Sequence, residues 1–557
     1  MNNIHNTCFS FLLRKLFCIF LVTSISMIVI AQTKPLPYIM DMVHNNPGDK
    51  LYISKFNNPD VLTKMGFNSK CFFLFDSPML AINWDGFDKK ILPLGSPDRI
   101  WVEKKAYRLD SLFIDCKKKG VSVYAMSDLV LLPKRLIEKY HLEQTFGNPL
   151  DKMTEKILRF QVHQMFVQFP QMDGIVVRIG ETYLEDAPYH KGNIQNKDNA
   201  DKCIIPLLNI LRDEICVKLN KKLIFRTWWT FDTNEEKYNY ISNAVEPHKN
   251  LVISVKHCEG DFHRGNSFSK VLGLGRHPQL VEVQCAREYE GKGAFPNYIA
   301  HGVIEGFEEH LARKEAGQIS NLRSLYKTGK LAGVWTWSRG GGWEGPYPKD
   351  ELWCELNAWV MAQWSKNPQE SEKSIFNRYA TQILKLSQKD AAKFRQIALL
   401  SENATIRGIR SVAYPEDVFA MWTRDEYITF PNLPNDTIKV AIILKEKDES
   451  VADWEKIVSL SKQINFKNKH TREVVHVTCE YGLQMYHIFR SLFHLSAIKN
   501  KCSIEEKKSF IKEYDDAWAA LEILKAQYPN TCPSLYSKKE IRRTWPVAAD
   551  KMVNEMR

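Results

Sequence analysis

Three acidic residues stand at or just beyond the ends of short apolar runs, where they could act together on a glycosidic bond. Glu181 and Glu288 each close such a run, and Asp261 follows shortly after another. Hydrolysis of a glycosidic bond needs one carboxylic acid that protonates the leaving oxygen and one ionised carboxylate that activates water or attacks directly. Three acids at one site would supply both roles. Each acid on its own would more simply cap a helix or pair with an arginine.

Tryptophans accumulate near the ends of two further apolar runs. Trp228 and Trp229 end one run, and Trp335, Trp337 and Trp343 surround the other, which leads into a glycine-rich loop. Indole faces suit stacking on sugar rings, and glycines let a backbone approach a ligand closely. We therefore predict that Trp228, Trp229, Trp337 and Trp343 bind substrate, with core packing as the alternative for Trp335 and Trp337.

Arg226 is a candidate clamp for a carboxylate on the substrate. It lies in the same run as Trp228 and Trp229, and the fork of a guanidinium group matches a carboxylate bidentately. The alternative is an ion pair between Arg226 and one of the three acids.

One short stretch is rich in residue types that bind metals, which raises the alternative of a metal-dependent hydrolase: His257, Glu259, Asp261 and His263. Metalloenzymes of barrel architecture usually take further histidine ligands from the first strand. Asp41 and His44 are the obvious candidates there, and no His-x-His motif occurs. The sequence therefore predicts neither a metal nor another cofactor.

The elements that would position these residues alternate between strands and helices. Eight short runs of apolar, β-branched or aromatic residues cover 36–43, 71–76, 121–131, 174–181, 223–229, 251–258, 281–288 and 332–337. Amphipathic stretches long enough for crossover helices lie between them, among them 107–119, 152–168, 200–218 and 317–328. Eight such units predict an α/β fold, a (β/α)8 TIM barrel with its parallel sheet covered by helices. The acids end strands four, six and seven, so they would meet at the C-terminal mouth, where such barrels carry out chemistry.

The pattern after residue 345 is helical, with predicted helices at 351–365, 370–386, 391–402, 451–464, 471–495 and 503–527. Ser387 and Ser503 each stand three residues before a carboxylate, as N-cap residues do at helix starts. An all-α C-terminal domain should therefore follow the barrel. We place a signal peptide at 1–31, the catalytic barrel at 32–346 and the helical domain at 347–557.

The N-terminus is typical of an export signal. Arg14 and Lys15 precede an apolar run at 16–31 that ends in small residues. The run is shorter than the roughly 20 residues that a spanning helix prefers, which favours a cleaved signal over a retained anchor. No later stretch reaches spanning length, so we expect a mature protein without a membrane segment, either periplasmic or secreted.

The overall composition excludes several classes of protein. The chain has 557 residues, of which 44% are hydrophobic and 25% charged, and this excludes a disordered, collagen-like or coiled-coil chain. The net charge is +12, but the charge runs fit solvated helix faces and no nucleic-acid partner is expected. The cysteines beyond the signal stand singly in apolar segments without a CxxC pair, so no disulfide framework is expected.

Four segments together resemble the family 67 glycoside hydrolases, which are α-glucuronidases. They are MDGIVVRIGE at 172–181, LIFRTWW at 223–229, the stretch 251–274 that contains DFHR, and VEVQCAREYEG at 281–291. The resemblance covers roughly residues 36–365. It implies a (β/α)8 barrel and inversion at the anomeric carbon, with Glu181 as general acid and Asp261 with Glu288 as the pair that activates water. It also implies that Arg226 holds the uronate carboxylate.

The sequence departs from the family pattern in two places. The family has a lysine that contacts the uronate four residues before the acid, and here that position is Val177. Strand alternation should place residues 177, 179 and 181 on one face, so Arg178 is expected to point away from the pocket. The family's usual β-rich domain before the barrel also has no counterpart between the predicted signal and the first strand. These differences suggest the same chemistry on a different, related sugar.

The sequence thus predicts an exported glycoside hydrolase that removes an α-linked uronate or a related sugar from oligosaccharides or polysaccharide fragments. The alternative is a carbohydrate-binding protein on a barrel that has lost its activity. The sequence leaves open the sugar, the linkage, and whether the helical domain builds a homodimer interface or part of the pocket.

Overall fold

The computed structural model describes residues 34–45, 53–179, 184, 186–227, 231–314, 317–341, 346–415, 433–498, 504–534 and 545–557. The chain forms two units, Met1–Pro35 and Leu36–Arg557. Only Lys34 and Pro35 of the first unit are described, so the predicted signal peptide at 1–31 lies outside the described residues. The barrel and the helices that follow it belong to the second unit.

Eight parallel strands close into a barrel, and two further short strands pair in a separate antiparallel sheet. In chain order the strands are β1 (Tyr38–His44), β2 (Ser69–Phe72), β3 (Ser122–Asp128), β4 (Leu131–Pro133), β5 (Met172–Arg178), β6 (His190–Gly192), β7 (Lys222–Arg226), β8 (Leu251–Lys256), β9 (Gln279–Val283) and β10 (Leu331–Gly340). The order around the barrel is β1-β10-β9-β8-β7-β5-β3-β2, and the separate sheet pairs β4 with β6. Each of the eight predicted runs overlaps one barrel strand. The predicted (β/α)8 barrel is confirmed, whereas the β4-β6 sheet was not expected.

The first and the last strand close the ring. Tyr38 of β1 lies beside Gly333 of β10. A Cβ atom at position 333 would come within 2.1 Å of the Tyr38 carbonyl oxygen, so glycine is needed for the two strands to pair here. Just before β1, the backbone N–H of Leu36 donates to the carbonyl of Ser365 in the first C-terminal helix, at 2.9 Å.

Side chains alternate along each strand between the barrel interior and the surrounding helices, as the two-residue period of a strand requires. The interior cluster takes side chains from all eight strands, among them Met40, Met126, Val176, Ile224 and Trp335. The side chains between them pack outward against the helices. Burial of both faces explains why the strands form near-continuous apolar runs.

Strand β5 corrects one expectation. Val177 and Ile179 do share a face, but both belong to the outer cluster beneath the helices, and Val176 belongs to the interior. Arg178 therefore points into the barrel, where its guanidinium pairs with Asp128 of β3 at 2.5 and 2.7 Å. The prediction that Arg178 points away from the pocket was wrong, because alternation fixes which residues share a face but not which face is inside.

Helices and helical turns cover the barrel: Lys55–Asn57, Pro59–Met65, Leu74–Asp76, Pro78–Leu80, Pro97–Lys118, Lys134–Lys139, Lys152–Gln168, Ala200–Ile204, Ile205–Leu211, Arg212–Lys218, Glu235–Ala244, Glu259–Phe262, Ala300–Glu305, Glu308–Arg313 and Leu322–Lys327. Of the predicted crossover helices, 152–168 has the expected bounds. The helix at 317–328 shortens to Leu322–Lys327. The segment 200–218 begins and ends in wider π-helical turns.

The C-terminal region is helical: Leu352–Lys366, Glu372–Arg378, Tyr379–Ile383, Gln388–Ile409, Thr437–Lys462, Lys469–Ile498, Ile504–Gln527 and Trp545–Met556. All six predicted helices are found, so the all-α region after the barrel is confirmed. The Ser387 cap is also confirmed, since its hydroxyl accepts the backbone N–H of Asp390 at 3.1 Å. Ser503 lies outside the described residues, and the predicted boundary at 346 remains a prediction.

Two further properties of the described residues concern their helices and their cysteines. No helix among them is both long and apolar enough to cross a membrane. The nine described cysteines are all buried free thiols. Buried thiols of this kind act as small apolar groups in the core.

Candidate active site

The predicted carboxylates Asp261 and Glu288 follow neighbouring strands of the barrel. Each lies five positions beyond the end of its strand, Asp261 after β8 and Glu288 after β9. The backbone at Asp261 is left-handed, with φ of 64°, between Gly260 at 61° and Phe262 at 69°. Left-handed conformations are uncommon for residues other than glycine and concentrate at functional sites.

Asp261 is held by a cation and a hydroxyl group. The Lys256 ammonium, at the inner end of β8, lies 2.9 Å from Asp261 Oδ1, and the Tyr289 hydroxyl donates to Oδ2 at 2.6 Å. Partial burial would raise the pKa of Asp261, but the Lys256 charge and the Tyr289 hydrogen bond outweigh it and hold the pKa below its ordinary value. The side chain is 36% exposed, so an ionised carboxylate faces the mouth of the barrel.

Glu288 sits in a different environment. Its side chain is buried, and its Oε2 accepts a hydrogen bond from the Gln284 amide at 2.8 Å. The side-chain oxygen Oε1 of the same Gln284 accepts the backbone N–H of Glu288 at 2.7 Å, so one glutamine holds both the backbone and the carboxylate of Glu288. A Cβ atom at Gly341 would come within 2.9 Å of Glu288 Oε2, so the glycine-rich loop after β10 makes room for this carboxylate.

Arg226 lies inside the barrel in an ion pair. Its Nε and Nη2 donate to the two oxygens of Glu282 at 2.8 and 2.7 Å, and both side chains are buried. Ser254 donates to the same Glu282 at 2.7 Å. The sequence offered a clamp or an ion pair with one of three acids, and the partner in the structure is a fourth acid. The clamp role of Arg226 remains a prediction.

Trp337 contacts Arg226 and the two chain segments that carry Asp261 and Glu288. Its ring lies 5.0 Å from the Arg226 guanidinium and 5.1 Å from the ring of Phe262, the residue after Asp261. Its carbonyl accepts the backbone N–H of Ala286, in the segment that leads to Glu288. The side chain is only 4% exposed, as the core-packing alternative requires, yet its Nε1–H has no hydrogen-bond partner among the described residues.

Four predicted site residues lie outside the described residues: Glu181, Trp228, Trp229 and Trp343. Of the others, Arg226 contacts Trp337 directly, whereas Asp261 and Glu288 are linked to Trp337 only through their chain neighbours Phe262 and Ala286. Trp335 packs inside the barrel, with its ring 5.7 Å from that of Trp337.

Sequence reasoning missed several charged residues inside the barrel, namely Lys256, Glu282, Asp128 and Arg178. Each is a charged residue whose side chain points into the barrel from a strand that is otherwise largely apolar. Lys256, for example, lies on the same face of β8 as the interior residue Val252. A charge in that position is costly unless it is paired. A charged residue within an apolar run could have marked all four in the sequence as buried and paired, but not as facing the barrel interior.

The stretch considered for a metal is arranged differently. His257 is buried with its Nδ1 3.1 Å from the Glu282 carbonyl, and His263 faces Arg410. Asp41 lies on the outer phase of β1 and accepts hydrogen bonds from Thr336 and Ser338. Within the described part of the chain, no group of three or more His, Cys, Asp or Glu residues is placed to hold a metal ion.

No protein-family model matches the chain, and no curated protein sequence matches it. Solved structures do match. One is a GH138 enzyme targeting pectin rhamnogalacturonan II, with a TM-score of 0.54 and 14% identity over 94% of this chain and 68% of that one. Another is an O-GlcNAc hydrolase mutant from Thermobaculum terrenum, with a TM-score of 0.42 and 8% identity over 94% of each chain. The first of these likenesses shows the shared fold.

Proposed function

We propose that the protein is a glycoside hydrolase that removes an α-linked uronate or a related sugar from oligosaccharides. The observation that carries this proposal is the Asp261 carboxylate, kept ionised by Lys256 and Tyr289 at the mouth of the barrel. An ionised carboxylate is the group that can take a proton from an attacking water molecule. Glu288, which follows the next strand, supplies a second carboxylate.

In the proposed reaction, water attacks the anomeric carbon while the bond from that carbon to the leaving oxygen breaks. Asp261, assisted by Glu288, accepts a proton from the water. Glu181, which the family resemblance marks as general acid, gives its proton to the leaving oxygen. Attack from the face opposite the leaving group gives inversion, and the acid and base regain their starting states by proton exchange with solvent.

The substrate class rests on two further supports. A structure with the same fold is named as an enzyme that targets pectin rhamnogalacturonan II, which fits a glycan substrate. The barrel interior also carries three basic side chains, Arg178, Arg226 and Lys256, each paired with an acid. Such pairs could rearrange toward a sugar carboxylate. The export signal predicted at 1–31 supports the further proposal that the enzyme acts in the periplasm or outside the cell, where it would meet polysaccharide fragments.

The test is a screen of the purified protein on aldouronic oligosaccharides, other α-linked glycosides and neutral controls, with the anomer of the product followed by NMR. We expect an inverted product from the wild type and a loss of about 1,000-fold or more in turnover for Asp261→Asn and Glu181→Gln. Glu259→Gln is the matched control, since Glu259 lies in the same turn as Asp261 and bonds the backbone N–H of Lys270.

Two results would count against the proposal. Full activity of Asp261→Asn would remove this residue from the mechanism. Sugar binding by the wild type without any product after long incubation would favour the carbohydrate-binding protein instead.

A further inference from the structure

The side chain of Arg410, from the helical region, contacts the segment that follows β8 at the mouth of the barrel. Arg410 directly follows the helix Gln388–Ile409 and is 4% exposed. Its Nη2 lies 3.2 Å from Nδ1 of His263, two positions after Asp261. The Arg410 side chain also lies beside Gly265 in the loop after β8, where a Cβ atom would be 3.5 Å from Arg410 Nε.

The contact with Arg410 fixes the state of His263. An arginine always donates hydrogen bonds, so His263 Nδ1 must accept, and the proton of the neutral ring resides on Nε2. Burial and the Arg410 charge lower the pKa of His263 to about 3, which keeps the ring neutral at physiological pH. Besides Arg410, the ring is faced by the negative Asp261 and by Arg287 and Glu290, which form an ion pair with each other.

His263 in turn borders the tyrosine that holds the proposed base. The rings of His263 and Tyr289 are 4.1 Å apart with a tilt of 39°. The Tyr289 hydroxyl donates to Asp261 at 2.6 Å. Contacts therefore run without a gap from the helical region to the carboxylate.

We infer that Arg410 is a positioning residue for the reaction proposed above: it fixes His263 as a neutral acceptor, and His263 holds the Tyr289 hydroxyl on Asp261. The inference rests on the proposed function. It makes the helical region part of the active site, a question that the sequence left open.

The helical region holds Arg410 in place by its own contacts. The Lys447 ammonium is buried and donates to the carbonyls of Arg407 and Arg410, which end the helix. Glu446 accepts the backbone N–H groups of Val412 and Ala413 at 3.0 and 2.9 Å. Adjacent residues of one helix thus secure the chain on both sides of Arg410.

The test compares the wild type with Arg410→Met, Arg410→Lys and a matched control, Arg407→Met. Arg407 belongs to the same helix, but its guanidinium pairs with Asp453 at 3.6 Å, away from His263. The first measurement is the NMR titration of histidine ring protons, with His263 assigned through His263→Asn. We expect no His263 titration between about pH 5 and 8 in the wild type, and a midpoint higher by about one pH unit or more in Arg410→Met.

The second measurement is the pH profile of kcat and KM on the α-linked glycoside that the wild type cleaves in the screen. We expect kcat of Arg410→Met to fall about tenfold with KM nearly unchanged, and Arg410→Lys to recover part of the loss. Because Arg410 is inferred to act through Tyr289, Arg410→Met should have little further effect in a Tyr289→Phe background.

The outcomes separate the inference from the proposed function. An inactive wild type would refute the proposed function. The His263 titration would still show whether Arg410 lowers the pKa of His263. An active wild type with an unchanged kcat in Arg410→Met would overturn the inference, as would a rise in KM alone, which would make Arg410 a substrate contact. If Arg410→Met does not fold, Arg410→Lys and Tyr289→Phe give the same two readouts.

Discussion

Removal of the Arg226 guanidinium would leave the Glu282 carboxylate inside the barrel without its main cation. The two side chains are 0% and 1% exposed and share two hydrogen bonds of 2.8 and 2.7 Å. Breaking one partner out of such a buried pair costs about 3–5 kcal/mol, whereas replacing both partners is often nearly neutral. We therefore expect Arg226→Met and Glu282→Gln each to lower the free energy of unfolding by about 3–5 kcal/mol. The double variant should lose far less than their sum.

The assay is urea unfolding followed by tryptophan fluorescence, with Arg276→Met as the control. Arg276 pairs with Glu246 at 3.2 Å on the surface, where 42% and 71% of the side chains are exposed, so its loss should cost under about 1 kcal/mol. A cost for Arg226→Met as small as that of the control would refute the reasoning. It would mean that Glu282 does not depend on Arg226 for charge compensation.

The double variant also allows a clean test of Arg226 as a clamp. With stability restored, a loss of binding much larger for uronates than for neutral sugars would support the clamp. Equal losses for both kinds of sugar would contradict it and leave Arg226 with a structural role. Titration calorimetry with glucuronate and glucose ligands would measure the difference.

Two further predictions concern pH. Lys256→Met removes the ammonium 2.9 Å from Asp261, so the pKa of Asp261 should rise and the acid limb of kcat/KM should move to higher pH; an unchanged limb would assign it to another group. Burial raises the pKa of Asp41 from 3.8 to about 7 against the hydrogen bonds from Thr336 and Ser338. The unfolded chain releases this proton near pH 3.8 and the folded chain near pH 7. The free energy of unfolding should therefore decrease as the pH rises from 3.8 to about 7, by up to roughly 4 kcal/mol in total. In Asp41→Asn this fall should be absent from urea unfolding across the same range, and an equal fall in both proteins would exclude Asp41 as its source.

The strands and most helices were predictable because each follows from a local pattern. A strand such as β8 is buried on both faces, so its continuous apolar run identifies it as a strand without any knowledge of the strands beside it. The Ser387 cap needs only residues three positions apart. The side of β5 that faces inward was not predictable in this way, because alternation separates Val177 from Arg178 without saying which of the two faces the interior of the closed ring.

The site itself was predictable as a set of acids but not as a set of contacts. Asp261 and Glu288 stand out because they follow strands at the end where barrels act. Arg410 reaches His263 across 147 positions of sequence, and no local pattern marks it. Glu282 was not recognised as the partner of Arg226 because the pairing depends on the order of strands around the barrel.

The seam between β1 and β10 constrains how the protein is made. Tyr38 cannot meet Gly333 until nearly three hundred further residues have been synthesised, so one edge of the first strand stays unpaired through most of translation. The chain acquires its closed ring late, and the charges at its centre remain in water until then. An open nascent chain is the form that the proposed export across a membrane would require.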